Sequence, residues 1–406
     1  MKIVVQKYGG TSVGSIEKIK RVADKIIQKK NEGYQVVVIV SAMGKSTDEL
    51  IDLAKAITDN PEPREMDMLL TTGEQVSISL LSMALISKGY PAISYTGPQL
   101  NIQTTSLHQK AKIKDIDVTK VLKAFDDDKI VVVAGFQGVS ENHEYTTLGR
   151  GGSDTSAVAL AAKLDARCEI YTDVEGIYTM DPRKLKGARK IDKISYEEMM
   201  EMASLGAGVM HYRAVELANK YKIPLYVAST FSEENGTMIE FKGEDGMEET
   251  LVTGMATSLD DIQITVINLT ATTGNLSRLF GQLAEEEVNV DMISHMITLD
   301  GKMYVSFTIP KEDLAIAERI FKEWQIELPD IRWEINRNIA KISVVGLGMR
   351  THSGVAAKVF KIMDDHNIEI KMVTTSEIKI SWVVEDHLEE KVVTLMGKAF
   401  GLVMEE

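Results

Sequence analysis

The stretch Ile3-Val4-Val5-Gln6-Lys7-Tyr8-Gly9-Gly10-Thr11-Ser12 decides how this chain is read. An apolar run delivers a buried strand straight into a Gly-Gly turn, flanked by one lysine and two hydroxyls. Gly9 and Gly10 let backbone N–H groups approach an anion closely, and Lys7 adds a point charge. In isolation the same stretch is equally consistent with an ordinary turn, so the rest of the chain must arbitrate.

Working outward, apolar runs at 3–5, 35–41, 130–135, 168–172 and 223–228 alternate with helix-period segments at 16–30, 47–58, 74–88, 154–164 and 207–221. Strands alternating with helices predict a three-layer α/β/α domain with a mainly parallel sheet covered on both faces. Ligands in such domains collect on the loops at the carboxyl ends of the strands. A polar, Gly-containing linker at 242–250 then changes the pattern to strand, helix, strand, strand, helix. That pattern occurs twice: Gly274–Phe280 (GNLSRLF) answers Gly354–Phe360 (GVAAKVF), and Val288–Ile293 (VNVDMI) answers Ile368–Val373 (IEIKMV). The reading is a duplicated ferredoxin-like βαββαβ module. The second copy ends at a helix around 387–399, with too little chain left for a fourth strand, so Leu251–Met255 is expected to lend it one. The expected organisation is a catalytic domain at 1–245, a linker with the lent strand at 246–261, and modules at 262–337 and 338–406.

Bulk properties narrow the function. A 406-residue chain with 44% apolar residues has enough material for two or three cores. The single cysteine, Cys168, excludes a disulfide framework and fits a reducing cytoplasm. With no run of about 18 apolar residues and no leader pattern, a soluble, cytoplasmic protein is expected. A net charge of −14 argues against nucleic acid or a membrane surface as partner. An anionic substrate must then be met by local donors.

Two nucleotide motifs are decoys. Gly44-Lys45-Ser46-Thr47 resembles the end of a P-loop, but its first glycine would fall at Ile39, inside a strand. Gly346-Leu347-Gly348 resembles a dinucleotide fingerprint, yet Thr351 stands at the third glycine. The strongest motif is Gly149-Arg150-Gly151-Gly152-Ser153-Asp154-Thr155-Ser156, opening a helix. Ser153 or Asp154 is expected to cap that helix, with the Gly-Gly pair as an anion nest at its positive end and Arg150 suited to a carboxylate. Thr172-Asp173 and the Tyr178–Arg183 loop form a third cluster, in which Asp173, Asp181 and Arg183 could hold ribose, Mg²⁺ or phosphate; an Asp-Pro-Arg turn is equally a plain turn. Ser41 ends a strand with Thr47 following, and Glu74 opens a helix, where capping is the simpler role. His211 reads as structural.

Together these segments resemble the aspartate kinase family, an amino-acid kinase fold with two C-terminal ACT modules. The resemblance spans the whole chain: KYGGTS at 7–12, VSAMG at 40–44, TGEQVS at 72–77, GRGGSDTS at 149–156, YTDVEG at 171–176, DPR at 181–183 and TSEIKIS at 375–381. It implies transfer of the ATP γ-phosphoryl group to the β-carboxylate of L-aspartate, the first step toward lysine, methionine, threonine and diaminopimelate. By that resemblance Lys7 and Asp154 are catalytic, Asp154 organising Lys7. Ser41, Thr47, Glu74, Arg150, Gly151, Gly152 and Ser153 bind substrate, Arg150 on its α-carboxylate and Glu74 on its α-ammonium. Lys7, Tyr8, Gly9, Gly10, Thr172, Asp173, Tyr178, Asp181 and Arg183 serve ATP, with Mg²⁺ on ATP oxygens and water and no protein metal site.

Departures from the family pattern stand at Gly208, where a lysine is usual, at Ala228, where an arginine is common, and in the first module's loop Ala271–Gly274 and at His295-Met296. The modules imply feedback by an amino acid, lysine favoured with threonine as possible co-effector, through Asp291, Ser353, Gly354, Val355, Thr375 and Glu377. A homodimer or dimer of dimers through the modules is expected, and a chain ending after them is expected to be monofunctional. The alternatives are an amino-acid kinase for another carboxylate and an amino-acid sensor with a degenerate kinase domain.

Overall fold

The computed structural model describes residues 2–206, 208–241, 251–350, 352 and 354–404. Contacts divide the chain into two compact units: Met1–Ile177 with Lys190–Ser204 and Gly208–Asp245, and Tyr178–Arg189 with Leu205–Ala207 and Gly246–Glu406.

In the first unit, β-branched runs build an eight-stranded sheet in the order Lys193–Ile194, Thr237–Ile239, Leu225–Ser229, Arg167–Thr172, Ile3–Tyr8, Gln35–Val40, Ile130–Ala134, Ala92–Tyr95. Pairing is parallel from Leu225–Ser229 through Ala92–Tyr95, and only Thr237–Ile239 runs against its Leu225–Ser229 neighbour. Val36 to Val40 and Ile130 to Ala134 are fully buried, as strands covered on both faces must be. Ile3–Tyr8 sits centrally, in register with Gln35–Val40 on one side and Arg167–Tyr171 on the other. The chain fills the sheet first on the Gln35–Val40 side of this strand and then on the Arg167–Thr172 side, and a crevice lies at the strand's carboxyl end where the direction reverses. The stretch 7–12 opens into that crevice.

Some local expectations needed correction. The helix expected at 207–221 spans only Tyr212–Tyr221, capped by His211, because Gly206 (φ +101°) and Gly208 favour turn over helix. Four short strands, Ile113–Ile116, Ile102–Thr104, Gln137–Val139 and Tyr145–Thr147, form a small sheet that the sequence did not announce. At three or four residues each, they are too short for a period-2 pattern to register. Pro63–Ser87 is, among the described residues, the one helical stretch of membrane-spanning length and apolarity. Half of its most apolar window is buried, and Leu81 and Leu85 lie fully inside the core.

In the second unit, Asp261–Thr270, Thr273–Glu285, Ile293–Ile297, Lys302–Pro310, Leu314–Glu327 and Arg332–Asn336 follow one another as βαββαβ. Their antiparallel sheet runs Ile293–Ile297, Lys302–Pro310, Asp261–Thr270, Arg332–Asn336, over a core that includes Phe307, Phe321 and Trp324. The second sheet runs Gly254–Ser258, Ile339–Val345, Lys379–Glu385, Met372–Thr375, over a core that includes Trp382 and Val392. Gly254–Ser258 pairs antiparallel with Ile339–Val345, the position Arg332–Asn336 takes in the first sheet. The linker residues 246–250 lie outside the described residues.

Candidate active site

The loops after the two central strands are stitched together. Gly44 N–H donates to the Gly10 carbonyl (3.0 Å), and Ser41 N–H donates to that of Tyr8 (3.2 Å). A Cβ on Gly10 would fall 2.8 Å from the Ala42 carbonyl oxygen, so only glycine allows this approach. The space around Gly9 is different. A Cβ there would meet the Lys7 amine at 3.5 Å, so the backbone leaves room beside that cation.

A cavity of about 260 Å³ opens here, lined by Lys7, Ser41, Thr47, Glu74, Phe136 and the segment Gly149–Asp154. It brings together Lys7 and Asp154 with all seven residues expected on substrate. Strand pleating turns Lys7 toward the helix Gly152–Leu164, where its Nζ lies 2.6 Å from Asp154 Oδ1. That oxygen has no aligned hydrogen bond, so the contact is an ion pair rather than a directed donor–acceptor pair. Ser41 Oγ donates to Ser153 Oγ at 3.0 Å, tying the loop after Gln35–Val40 to the same helix.

The helix start differs from the expected cap. Gly151 takes that position in the left-handed conformation (φ +70°), and Ser153 and Asp154 lie inside the first turn. Among the described residues, no side chain caps the helix. Its positive end therefore faces the cavity undressed, as an anion site requires. Arg150 is exposed just before it.

Glu74 is the outlier of the cavity. Only 2% exposed, it accepts one hydrogen bond through Oε1 from the Ala42 N–H (3.2 Å), while Oε2 is buried with no partner among the described residues. Burial pushes its carboxyl up to about 7, against the weaker lowering pull of the Glu74 and Ala42 backbone N–H groups and the nearby Gln137 amide. A cation entering the cavity would find its counter-charge waiting.

Phe136 was missed by the sequence reading. It follows the strand Ile130–Ala134 by two residues, with φ +70°, a strained conformation for an aromatic side chain. Its N–H donates to Ser156 Oγ (3.1 Å) and its carbonyl accepts from the Leu148 N–H (2.8 Å), so the glycine loop fixes it. The available signal was position: an aromatic just beyond a strand's carboxyl end.

Other expected residues lie elsewhere. Tyr8, expected at ATP, alternates to the opposite face from Lys7; its ring is fully buried and stacks on Tyr171 at 5.0 Å. Thr172 Oγ1 donates to Asp173 Oδ1 (3.1 Å) at the end of a neighbouring strand, outside the cavity lining. Tyr178, Asp181 and Arg183 belong to the second unit. There the turn closes on itself: Asp181 takes the Arg183 backbone N–H (2.9 Å) and its guanidinium (2.8 Å), which holds the Asp181 carboxyl below its usual range. The same segment is anchored to the second module, with Met180 and Ala188 in its core and Thr179 Oγ1 donating to the Leu402 carbonyl (2.5 Å).

Of the residues expected on an effector, Asp291 Oδ2 is 2.8 Å from Lys341 Nζ and Glu377 is 3.3 Å from Arg350 Nε. The side chain of Val355 is buried in the second core. Gly354 caps the helix Val355–Asp365 in a left-handed conformation over open space, and Thr375 is exposed. Ser353 lies outside the described residues.

The chain matches the amino acid kinase family over residues 2–229 and the ACT domain over 342–400. It is 51% identical to aspartokinase 2 of Bacillus subtilis (strain 168), over 99% of its own length and 98% of the relative's. The crystal structure of E. coli aspartokinase III with aspartate and ADP (R-state) superposes with a TM-score of 0.83 at 26% identity, covering 98% of this chain and 99% of that one. The same E. coli protein with lysine and aspartate (T-state) gives a TM-score of 0.74 at 26% identity, with the same coverage. A helix start without a side-chain cap, a lysine–aspartate pair and a buried carboxylate in one cavity thus accompany full-length likeness to one family: the chain belongs to the aspartokinase family.

Proposed function

We propose that the cavity carries out ATP-dependent phosphorylation of L-aspartate, giving β-aspartyl phosphate. The observation that carries this is Glu74, a buried carboxylate lacking a cation, in the same cavity as Arg150. A carboxylate and a guanidinium together read the ammonium and carboxylate of an α-amino acid. The acceptor β-carboxylate is already ionised at neutral pH and needs no base. The protein's task is then positioning and charge stabilisation.

Lys7 holds its charge toward the transferring phosphoryl group, oriented by Asp154 at 2.6 Å. The room beside Gly9 and the uncapped helix start suit phosphate oxygens. ATP supplies the phosphoryl group, with Mg²⁺ carried on its own oxygens. Ser41, Thr47 and Ser153 orient the acceptor, and Thr172 and Asp173 attend the nucleotide. K7A tests this reading: turnover is expected to fall by at least ~10²–10³-fold, with the fold intact by circular dichroism. Near-normal kcat in K7A would remove Lys7 from the chemistry.

Regulation falls to two ACT modules within residues 246–406, the first inserted into the second, and catalysis to a domain at 1–245. Lysine is the favoured effector, with threonine as a second candidate; the E. coli relative's structure with lysine supports this choice. The strand Ile293–Ile297 is an exposed sheet edge with Ile293, Met296 and Ile297 uncovered, and Leu299 follows it. Unpaired apolar edges seek partners, so the functional unit is a homodimer through these modules. The reducing cytoplasm suits its buried Cys168.

A further inference from the structure

The start of the helix Tyr212–Tyr221 backs directly onto the loop that carries Arg150. His211 caps this helix, its Nδ1 accepting the Arg213 backbone N–H at 3.3 Å. An accepting Nδ1 carries no proton, so the imidazole is in its neutral form with the proton on Nε2. The ring is packed against Gly151: a Cβ there would fall 2.2 Å from His211 Cγ. Gly151 thus needs to be glycine twice over, for its positive φ and for the imidazole.

Arg213 holds the other end of the same loop. Its guanidinium donates to the carbonyls of Leu148 (2.5 Å) and Ala111 (3.0 Å). Leu148 and Gly151 bracket Gly149-Arg150, so two residues of one helix start grip the loop on both sides of the arginine. A third support lies under Gly149 (φ +76°), where a Cβ would fall 2.7 Å from the Gln109 carbonyl.

The charges facing His211 are Arg213 on its own helix, Arg150 on the loop and Asp154 on the helix Gly152–Leu164. Burial first, then the two arginines, hold its basicity below that of an ordinary imidazole, against the pull of Asp154. A proton on Nδ1 would remove the cap and add a third cation beside two.

We propose that His211 is a positioning residue for the phosphoryl acceptor: its neutral ring, with Arg213, sets the Gly149–Gly151 backbone so that Arg150 meets the aspartate carboxylate. This rests on the reading of Arg150 given above. Three variants of the full chain separate the possibilities. H211A is expected to raise KM for aspartate about tenfold, the factor that goes with ~1.4 kcal/mol, with kcat within about twofold and KM for ATP unchanged. H211N restores the cap but not the ring, and is expected to recover thermal stability while KM for aspartate stays raised. Restoration of both stability and KM by H211N would reduce His211 to a helix cap and overturn the proposal. A matching rise in KM for both substrates would do the same, since it marks general loosening. R150A is the control: a raised aspartate KM in R150A with normal values in both His211 variants overturns the His211 role alone, whereas an unchanged KM in R150A refutes the Arg150 reading itself.

Discussion

A carboxylate buried with one oxygen unpaired costs free energy until a cation arrives, and Glu74 is in that position. Its pKa is raised from 4.5 to about 7, so the unfolded chain ionises more readily than the folded one. Stability from this group is full below the unfolded value and is lost as pH rises through about 7. E74Q should therefore stabilise the unliganded protein at pH 8, by up to about 3 kcal/mol, and raise its melting temperature. The same substitution should weaken aspartate by roughly 10²-fold through loss of a charge-assisted contact. In the wild type, kcat/KM for aspartate should fall as pH drops below about 7, because only the carboxylate form receives an ammonium. A flat profile between pH 6 and 8 would remove Glu74 from substrate binding. At this scale the sequence was informative where motifs carried charge and glycine together, as at Lys7, Arg150 and Asp154. It was silent on which way Tyr8 points, because a strand buried on both faces shows no alternation to read. Phe136 escaped because an unremarkable triplet, Gly135-Phe136-Gln137, conceals its positive φ.

Between elements, a buried charge outside the cavity stands at Lys341, on the strand Ile339–Val345 of the second module. It is 4% exposed, and its Nζ lies 3.0 Å from Asp261 and 2.8 Å from Asp291, both of the first module. Burial opposes its charge, but the two carboxylates more than offset this, so its pKa is raised. K341M would leave those carboxylates uncompensated, and should lower stability by about 2–3 kcal/mol, read as a shift in the urea midpoint. K341M/D291N should recover part of that loss; no recovery would mean that packing rather than charge dominates. Nothing in the local pattern marks this lysine, which reads as one polar residue in an alternating strand. The module repeat, by contrast, was legible, because apolar periodicity and a constant offset between copies survive where individual contacts do not. The start of the helix at Tyr212 was not, since the apolar period continues back through Val209 and Met210 while the glycines break it.

At the scale of the whole molecule, catalysis and control are expected to meet in the dimer. Replacing Met296 and Ile297, both exposed on the edge strand, by aspartate should shift the chain toward monomer in size-exclusion chromatography with light scattering. An unchanged dimer would place the interface elsewhere. Lysine should inhibit turnover by favouring one arrangement of the ACT pair, and inhibition should weaken in the same variant. The most direct measurement is ATP-dependent acyl phosphate formation, trapped as the hydroxamate, with L-aspartate against L-glutamate, each with and without lysine and threonine. Turnover with aspartate alone, suppressed by lysine, is the expected result. No acyl phosphate from aspartate, in folded protein that still binds lysine, would contradict the central claim and leave an amino-acid sensor in its place.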